Sequence, residues 1–125
     1  MIAELSKNFR DLLPESLIEK DPNGADPHTP GAKLDHGKPR AGLVLMSFGK
    51  ALLEVSRVGT FGAEKYTPKG WVEVGNGVER YMDSAFRHLL VMETESFDPE
   101  SKLSHLSHAA WNILACLELE LREDS

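Results

Sequence analysis

The apolar residues in the second half of the chain recur every three or four positions, which is the spacing of an amphipathic helix. From Leu43 this pattern predicts one helix that runs to about Tyr66 and is ended by Pro68 and Gly70. The stripe expected to face the core consists of Val44, Leu45, Phe48, Ala51, Leu52, Val55 and Val58. A helix with such a stripe is stabilised mainly by packing against a neighbour, so further helices are expected.

Two more helices are predicted further along the chain. The first has an inward stripe of Val78, Met82, Ala85, Leu89 and Met92. The second spans about Ser101 to Arg122, with Asp98 as its cap and Pro99 in its first turn. Its core stripe is expected to consist of Leu103, Leu106, Ala110, Ile113, Leu114, Leu117 and Leu121.

The first thirty residues differ from the rest. Met1 to Lys20 could form a short amphipathic helix through Ile2, Leu5, Phe9, Leu12 and Leu13. Residues 21–31 contain three prolines and two glycines, which exclude a helix or a central strand and predict an extended connector. We therefore expect residues 1–30 to precede a functional domain of residues 31–125.

No segment alternates convincingly between apolar and polar residues, and no internal repeat is present. The predicted fold class is therefore all-α, with three or four helices packed side by side. Three long helices from so short a chain bury their stripes poorly on their own. This favours association into a larger helical assembly.

Composition narrows the partners. The chain has 125 residues, a length that fits one domain. It has 14 Lys+Arg against 20 Asp+Glu, and the resulting net charge of −6 argues against a nucleic-acid duplex or an anionic membrane as partner. A small anionic ligand held through metal ions remains open. The single cysteine, Cys116, cannot form an internal disulfide, and no membrane span or signal-peptide pattern is visible, so a cytoplasmic protein is expected.

The last predicted helix carries an unusual polar stripe opposite its leucines. His105, His108, Asn112 and Cys116 fall on this stripe. Spacing alone favours a face that hydrogen-bonds across a subunit interface, because a metal site needs three or four convergent ligands. The alternative is a ligand or metal site lined by the two histidines.

Carboxylates offer possible ligands for a hard metal ion. Glu54 and Asp83 lie on the polar sides of two predicted helices, while Asp98 and Glu100 precede the last one. Exposed ion pairs with neighbouring Lys or Arg would explain Glu54 and Asp83, and a helix cap would explain Asp98. Carboxylates from three elements can also converge in a bundle and hold Mg²⁺ with substrate phosphates.

A basic loop and two aromatic residues suggest a nucleotide as the ligand. The segment from Lys33 to Arg40 places Lys38 and Arg40 on non-periodic backbone, where they could close over phosphates, although these residues alone slightly favour a solvated loop. The spacing of a Walker loop is absent. Tyr66 and Trp71 could stack on a base, although burial against the core is the commoner role of such rings.

Five segments together resemble one known family. In order they are GAKLDHGKPR, a helix ending in FGAEKY, Trp71, RYMDSAFRH and DPESKLSHLSHAAWN. They are similar in order and spacing to the phage dATP/dGTP diphosphohydrolases, which belong to the MazG-like all-α nucleotide pyrophosphohydrolases. The branch in phages that replace adenine by 2-aminoadenine is called MazZ. The resemblance covers about residues 31–121, and residues 1–30 have no counterpart in it.

The resemblance implies hydrolysis of a purine deoxynucleoside triphosphate, foremost dGTP with GTP or dATP as alternatives, to the monophosphate and pyrophosphate. It implies Mg²⁺ or Mn²⁺ held by carboxylates in a MazG-like bundle. A homotetramer built from two dimers is implied, with a dimer as the alternative, in the host cytoplasm if the protein is phage-encoded. In a phage that makes 2-aminoadenine DNA, cleaving dGTP would lower a competing pool and supply dGMP.

The resemblance also implies roles for particular residues. MazG-like enzymes usually present ExxE and ExxD motifs, whereas this chain has Asp83-Ser-Ala-Phe-Arg87 and His105-Leu-Ser-His108 in the corresponding places. The implied metal ligands are Glu54, Asp83 and Glu100, with Asp98 and His108 as second choices. Glu54, Asp83 or His88 would act in catalysis, His88 or a carboxylate taking the proton from water. The implied substrate-binding residues are Lys33, Asp35, Lys38, Arg40, Lys65, Tyr66, Trp71, Arg87, His105 and Asn112.

Two other functions compete with this one. A non-catalytic helical module would bind a nucleotide or a protein partner without turnover. A hydrolase of the helical His/Asp type would use His88, His105, His108 and Asp83, but no adjacent His-Asp pair supports it. Replacement of Glu54 by Gln or of Asp83 by Asn is expected to abolish pyrophosphate release only if the chain is a pyrophosphohydrolase.

Overall fold

Four helices and one 3₁₀ turn make up the regular structure of residues 19–123, which are the residues that this computed structural model describes. The helices are α1 (Ala41–Met46), α2 (Gly49–Lys65), α3 (Gly77–Val91) and α4 (His105–Glu123), and the 3₁₀ turn spans Gly70–Glu73. Over these residues the only β pairing is one isolated antiparallel bridge. The all-α prediction is confirmed, whereas nearly all of the helix predicted in residues 1–20 lies outside the described residues.

The first predicted helix is divided into two. Ser47 and Phe48 interrupt it between α1 and α2, and the Ser47 hydroxyl donates a hydrogen bond of 2.6 Å to the carbonyl of Val44. A serine that bonds to the backbone in this way competes with the helical ladder, which accounts for the break. The end of α2 at Lys65 and the extent of α3 agree with the prediction.

The start of α4 was predicted four residues too early. Residues 96–104 instead form a tight loop, in which the Asp98 N–H donates to the Leu103 carbonyl at 2.8 Å and the His105 N–H donates to the Ser96 carbonyl at 2.9 Å. Ser104 then caps α4, because its hydroxyl oxygen accepts the N–H of Ser107 at 3.1 Å. The predicted cap, Asp98, caps the turn before it.

Helix α4 contacts both α3 and α2, and its contact with α3 is the more extensive. Small side chains fill this contact: Ala85 on α3 and Ala109, Ala115 and Cys116 on α4 are all buried. A Cβ atom added at Gly77 would lie 2.9 Å from a methyl group of Leu119, so the start of α3 needs glycine to approach α4. The two helices are therefore held close together, and this fixes the side chains that project between α3, α4 and α2.

The face of α4 that packs inside the chain is the opposite of the predicted one. His105, His108, Asn112 and Cys116 are buried, so the interpretation of this stripe as a subunit contact is wrong. The predicted core stripe is also wrong in its larger part. Leu103 and Leu121 are half-buried, but the other members are exposed, namely Leu106, Ala110, Ile113, Leu114 and Leu117. The polar stripe can lie inside because its members form hydrogen bonds there. Cys116 bonds to the Val78 carbonyl, and the histidines bond to other polar side chains.

Much of the other predicted core is also on the outside. Of the seven-residue stripe predicted for the first helix, Val58 alone is buried, and α1 has no buried residue. Fully buried large side chains are absent from the described part of the chain. A single copy of residues 19–123 thus has a core of small residues and leaves large apolar side chains in contact with solvent.

Within residues 19–123 we find no helix that combines the length and the apolar composition needed to cross a membrane.

Candidate active site

A cavity of about 650 Å³ opens where the C-terminal half of α2, the 3₁₀ turn, α3 and α4 meet the loop before α4. Its lining falls into three groups: aromatic rings, cationic side chains, and a polar cluster of carboxylates and histidines. Along the axis of α4, His108 of the polar cluster comes first, and Trp111 of the aromatic group and Asn112 follow it by about one turn, or about 5–6 Å. The cavity is large enough for a nucleotide-sized ligand.

Within the aromatic group, which also includes Phe61 and Tyr66, the rings of Trp71, Tyr81 and Trp111 pack together. Each pair of these three rings packs edge to face, with ring centroids 5.6–6.1 Å apart. The Tyr81 hydroxyl donates to the Trp71 carbonyl at 2.8 Å, and burial raises the pKa of Tyr81. Trp111 lies close against Gly59, where an added Cβ would be 3.1 Å from the indole nitrogen. These contacts hold the rings in fixed orientations, which suits a wall for a flat apolar group.

The cationic group consists of Lys65, Lys69, Arg80 and Arg87. Lys65 forms an ion pair with Glu100 at 2.8 Å, and the hydrogen bond from this pair raises the pKa of Lys65. This contact ties the end of α2 to the loop before α4. The guanidinium of Arg87 makes no hydrogen bond or ion pair with the described residues, so it is available to an anion in the cavity.

Two carboxylates, Asp98 and Glu100, line the same cavity. One oxygen of Asp98 accepts the N–H of Ser101 at 2.7 Å. Burial acts to raise the pKa of Asp98, but the N–H and hydroxyl of Ser101, together with His108 and His88, outweigh it and hold the pKa below its usual value. Asp98 is therefore a carboxylate at neutral pH.

Three histidines pack together beside Asp98. The rings of His88 and His108 stack with centroids 4.6 Å apart, and Nδ1 of His88 lies 2.9 Å from Nδ1 of His105. Nε2 of His108 is 2.7 Å from the Ser101 hydroxyl, and Nε2 of His105 is 2.9 Å from a carboxylate oxygen of Glu95. His88 and His108 line the cavity, whereas His105 lies behind His88.

Burial lowers the pKa of both His88 and His108. For His88, the neighbouring His108 and His105 lower it further; for His108, the effect of burial exceeds that of Asp98, which acts to raise the pKa. Both rings are thus neutral at neutral pH, and His88 can accept a proton in the cavity.

The lowered pKa values of His88 and His108 predict that the protein loses stability in acid. Unfolded histidines have a pKa near about 6.5 and bind protons that folded His88 and His108 do not, so the free energy of unfolding should fall as the pH drops below about 6.5. Urea unfolding at pH about 7.5 and about 5.5 measures the difference. The difference in unfolding free energy between the two pH values should be smaller in His88→Gln but unchanged in His28→Gln, since His28 is exposed. Greater stability at the lower pH would contradict this account.

Asn112 brings an unusual acceptor to the cavity. Its side chain is 5% exposed, and its amide nitrogen donates to the His108 carbonyl at 2.8 Å. Its amide oxygen accepts no hydrogen bond from the described residues, although buried polar atoms are almost always paired. The residue lines the cavity, so a donor group on a ligand can satisfy this oxygen.

Many of the residues singled out from the sequence meet at this cavity. Those that line it are Lys65, Tyr66, Trp71, Arg87, His88, Asp98, Glu100, His108 and Asn112. They come from α2 and its C-terminal end, the 3₁₀ turn, α3, the loop before α4, and α4, so a single site unites four of the five sequence segments that carry the resemblance. The cavity is therefore the candidate active site.

Other predicted residues lie outside the cavity of a single chain. Glu54 forms an ion pair with Arg57 one turn away on α2, and Asp83 is exposed on α3. Lys33, Asp35, Lys38 and Arg40 are exposed on the loop before α1, which the buried Asp21 helps to hold by accepting the Lys33 N–H at 2.8 Å. None of these six residues lines the cavity.

Several lining residues were not singled out from the sequence, among them Phe61, Lys69, Arg80, Tyr81, Ser84 and Trp111. Arg80, Tyr81 and Ser84 lie within RYMDSAFRH, and Trp111 flanks the polar stripe of α4, so both patterns carried a signal. Ser101 and Glu95, which bind His108 and His105, were also missed. Glu95 has no spacing relation to His105 that a sequence would reveal.

A metal ion would find a limited set of donors in one chain. Among residues 19–123 no group of three or more His, Cys, Asp or Glu side chains is placed to hold a metal. Asp98 and Glu100 supply two hard oxygen donors at the cavity, while Nε2 of His108 is already engaged by Ser101. This donor set fits Mg²⁺ or Mn²⁺ of the kind that is bound by one or two carboxylates together with substrate phosphates and water.

Comparison with known proteins agrees with this chemistry. A search of curated proteins and a search of solved structures each gave no match. A family model described as the N-terminal part of dATP/dGTP diphosphohydrolase matches residues 28–125, which include helices α1 to α4 and all residues of the cavity. The chain therefore belongs to the dATP/dGTP diphosphohydrolase family.

Proposed function

We propose that the protein is a metal-dependent purine nucleoside triphosphate pyrophosphohydrolase, with dGTP as its foremost substrate and GTP and dATP as the alternatives. The observation that carries this proposal is the cavity itself. It combines an aromatic wall, four cationic side chains, two carboxylates and a neutral histidine within one site. Family membership supports nucleotide diphosphohydrolase chemistry at this site.

The lining suggests how the substrate lies. The aromatic residues offer faces and edges against which a purine can pack, and Asn112 offers an acceptor for an N–H of the base. Lys65, Lys69 and Arg87 can bind the triphosphate, Arg87 through paired hydrogen bonds. The substrate would thus span the cavity from the aromatic wall to the polar cluster.

Asp98 and Glu100 are the residues proposed to hold Mg²⁺ or Mn²⁺ together with the nucleotide. When bound, the metal supplies positive charge to the phosphate oxygens and to the leaving pyrophosphate. The hydrogen bond from Ser101 orients Asp98, and the ion pair with Lys65 orients Glu100. These contacts turn both carboxylates towards the cavity, and the bond from Ser101 helps to keep the pKa of Asp98 low.

His88 is proposed as the group that takes the proton from the attacking water. Water attacks the α-phosphorus, its new O–P bond forms as the bond to the α,β-bridging oxygen breaks, and pyrophosphate leaves while the proton of the water goes to His88. The lowered pKa of His88 keeps its ring unprotonated and ready for this step. Arg87, next to it on α3, would stay with the phosphates.

The exposed apolar residues support assembly of the chain into a homotetramer built from two dimers, with a dimer as the alternative. The second copy is the proposed occupant because residues 19–123 contain no fully buried large side chain, while large apolar residues form a stripe on the outside of α4. Interfaces of permanent assemblies resemble a core divided between chains. Glu54 lies beside the exposed Leu53 and would approach such an interface. If Glu54 binds the metal as predicted, it would do so at this interface.

We further propose that the activity shapes the deoxynucleotide pool of a phage whose DNA contains 2-aminoadenine. Cleavage of dGTP would remove a competing precursor and release dGMP.

The proposal is tested by incubating the purified chain with each of dGTP, dATP, dCTP and dTTP in Mg²⁺ or Mn²⁺. We expect the monophosphate and pyrophosphate in equal amounts, fastest from dGTP, and no product in excess chelator. Inorganic phosphate as the first product, or pyrophosphate from none of the four, would refute it. Nucleotide binding without turnover would instead identify a non-catalytic module.

A further inference from the structure

Glu95, His105 and His88 form a chain of hydrogen bonds from the surface to the cavity. A carboxylate oxygen of Glu95 lies 2.9 Å from Nε2 of His105, and Nδ1 of His105 lies 2.9 Å from Nδ1 of His88. The Glu95 side chain is half-exposed, His105 is 4% exposed, and His88 lines the cavity. Nε2 of His88 has no hydrogen-bond partner among residues 19–123.

In this series of hydrogen bonds, the donor of one bond determines which atom donates in the next. A carboxylate can only accept, so Nε2 of His105 carries the hydrogen that Glu95 accepts. A neutral imidazole has a single ring hydrogen, so with that hydrogen on Nε2 of the buried His105 its other nitrogen, Nδ1, can only accept. Nδ1 of His88 must then be the donor.

We propose that Glu95 and His105 are positioning residues that hold His88 in the tautomer with hydrogen on Nδ1. This tautomer leaves Nε2 of His88 as the unprotonated nitrogen, free to accept a proton from water in the cavity. The arrangement follows the logic of a carboxylate that orients a catalytic histidine, with one additional imidazole between them. The catalytic consequence rests on the proposed function of His88, whereas the tautomer itself does not.

Other groups that face His88 do not supply this orientation. From α4, His108 stacks on the ring face at 4.6 Å and makes no hydrogen bond to it. From the loop before α4, Asp98 acts on His88 through its charge, and Arg87 on α3 does the same with the opposite sign. Only the His105 nitrogen lies within hydrogen-bond distance of the His88 ring in the described part of the chain.

The test uses Glu95→Gln, with Glu93→Gln as the matched control. Glutamine at position 95 can either accept or donate, so it no longer dictates the tautomer of His105. Glu93 is exposed two residues away, and its carboxylate makes no hydrogen bond or ion pair with the described residues. Long-range ¹H–¹⁵N spectra of histidine-labelled protein at pH about 7.5, with His88→Gln for assignment, report the tautomer directly.

We expect wild-type His88 to carry its hydrogen on Nδ1 and Glu95→Gln to shift part or all of it to Nε2. With dGTP as substrate, kcat should fall by about 10–100-fold in Glu95→Gln while KM stays within about twofold, and Glu93→Gln should match the wild type. Hydrogen on Nε2 of His88 in the wild type, or an unchanged tautomer in Glu95→Gln, would overturn the inference. The tautomer shift in a protein that hydrolyses no nucleotide would refute the proposed function and leave the positioning intact.

Discussion

Replacement of Asp98 by Asn is expected to lower kcat for pyrophosphate release by at least about 100-fold, which corresponds to about 2.7 kcal/mol of transition-state stabilisation. Asp98 lines the cavity and is ionised beside Glu100, His88 and His108. Asparagine keeps an oxygen that can accept the Ser101 N–H, so the loop before α4 should persist. The variant therefore removes the charge and leaves the local fold.

The measurement is the initial rate with dGTP across a range of Mg²⁺ and Mn²⁺ concentrations, together with the melting temperature. Glu73→Gln is the matched control, because Glu73 is exposed on the 3₁₀ turn and does not line the cavity. It should retain the wild-type rate. A melting temperature for Asp98→Asn within a few degrees of the wild type would show that the lost activity is not lost structure.

The same assay compares the two carboxylate sets. If Asp98→Asn kept full activity while Glu54→Gln or Asp83→Asn lost it, the metal would belong with the ligands predicted from the sequence and not with the cavity. Since Glu54 pairs with Arg57 and Asp83 is exposed, either residue would then have to act across an interface between copies. Loss of activity in Asp98→Asn together with Glu54→Gln would indicate a site completed by two chains.

The sequence predicted the helical class and most helix ends, because these depend on local spacing and on residues such as Pro68 that stop a helix. It did not predict which side of α4 faces inward. Both sides of this helix are stripes of uncharged residues, and periodicity identifies stripes without saying what each one packs against. The choice depends on α3, whose small and polar residues accommodate the histidine stripe and leave the leucines outside.

The candidate site shows the same division. His108 and Asn112 were found because a polar stripe of this kind interrupts the usual pattern of a helix, Asp98 because it stands before that helix, and Lys65 and Arg87 through the resemblance. The Lys33–Arg40 loop also interrupts a pattern, yet it lies away from the cavity, since where a loop folds is decided by contacts such as that with Asp21. Glu95 could not be found, because its partner His105 is ten residues away on another element.

The exposed stripe of α4 leads to the second large effect. Leu106, Ile113, Leu114 and Leu117 are 46–57% exposed and lie along one side of the helix. A lysine placed in the middle of this stripe would bring a charge into the proposed contact between copies, where burying it without a partner is costly. In a two-fold interface the same substitution would also appear on both sides.

Light scattering of the wild-type protein should therefore give about four times, or for the dimer alternative twice, the chain mass of 13.9 kDa, and Leu117→Lys should give a smaller assembly or the single chain. Thr94→Lys is the matched control, because it adds the same charge at an exposed turn after α3. Circular dichroism separates dissociation from unfolding, since α3 and α4 pack through the opposite face and should remain helical. A monomeric wild type at micromolar concentration would contradict the assembly. In that case the apolar side of α4 would be covered by another part of the same chain or left in contact with water.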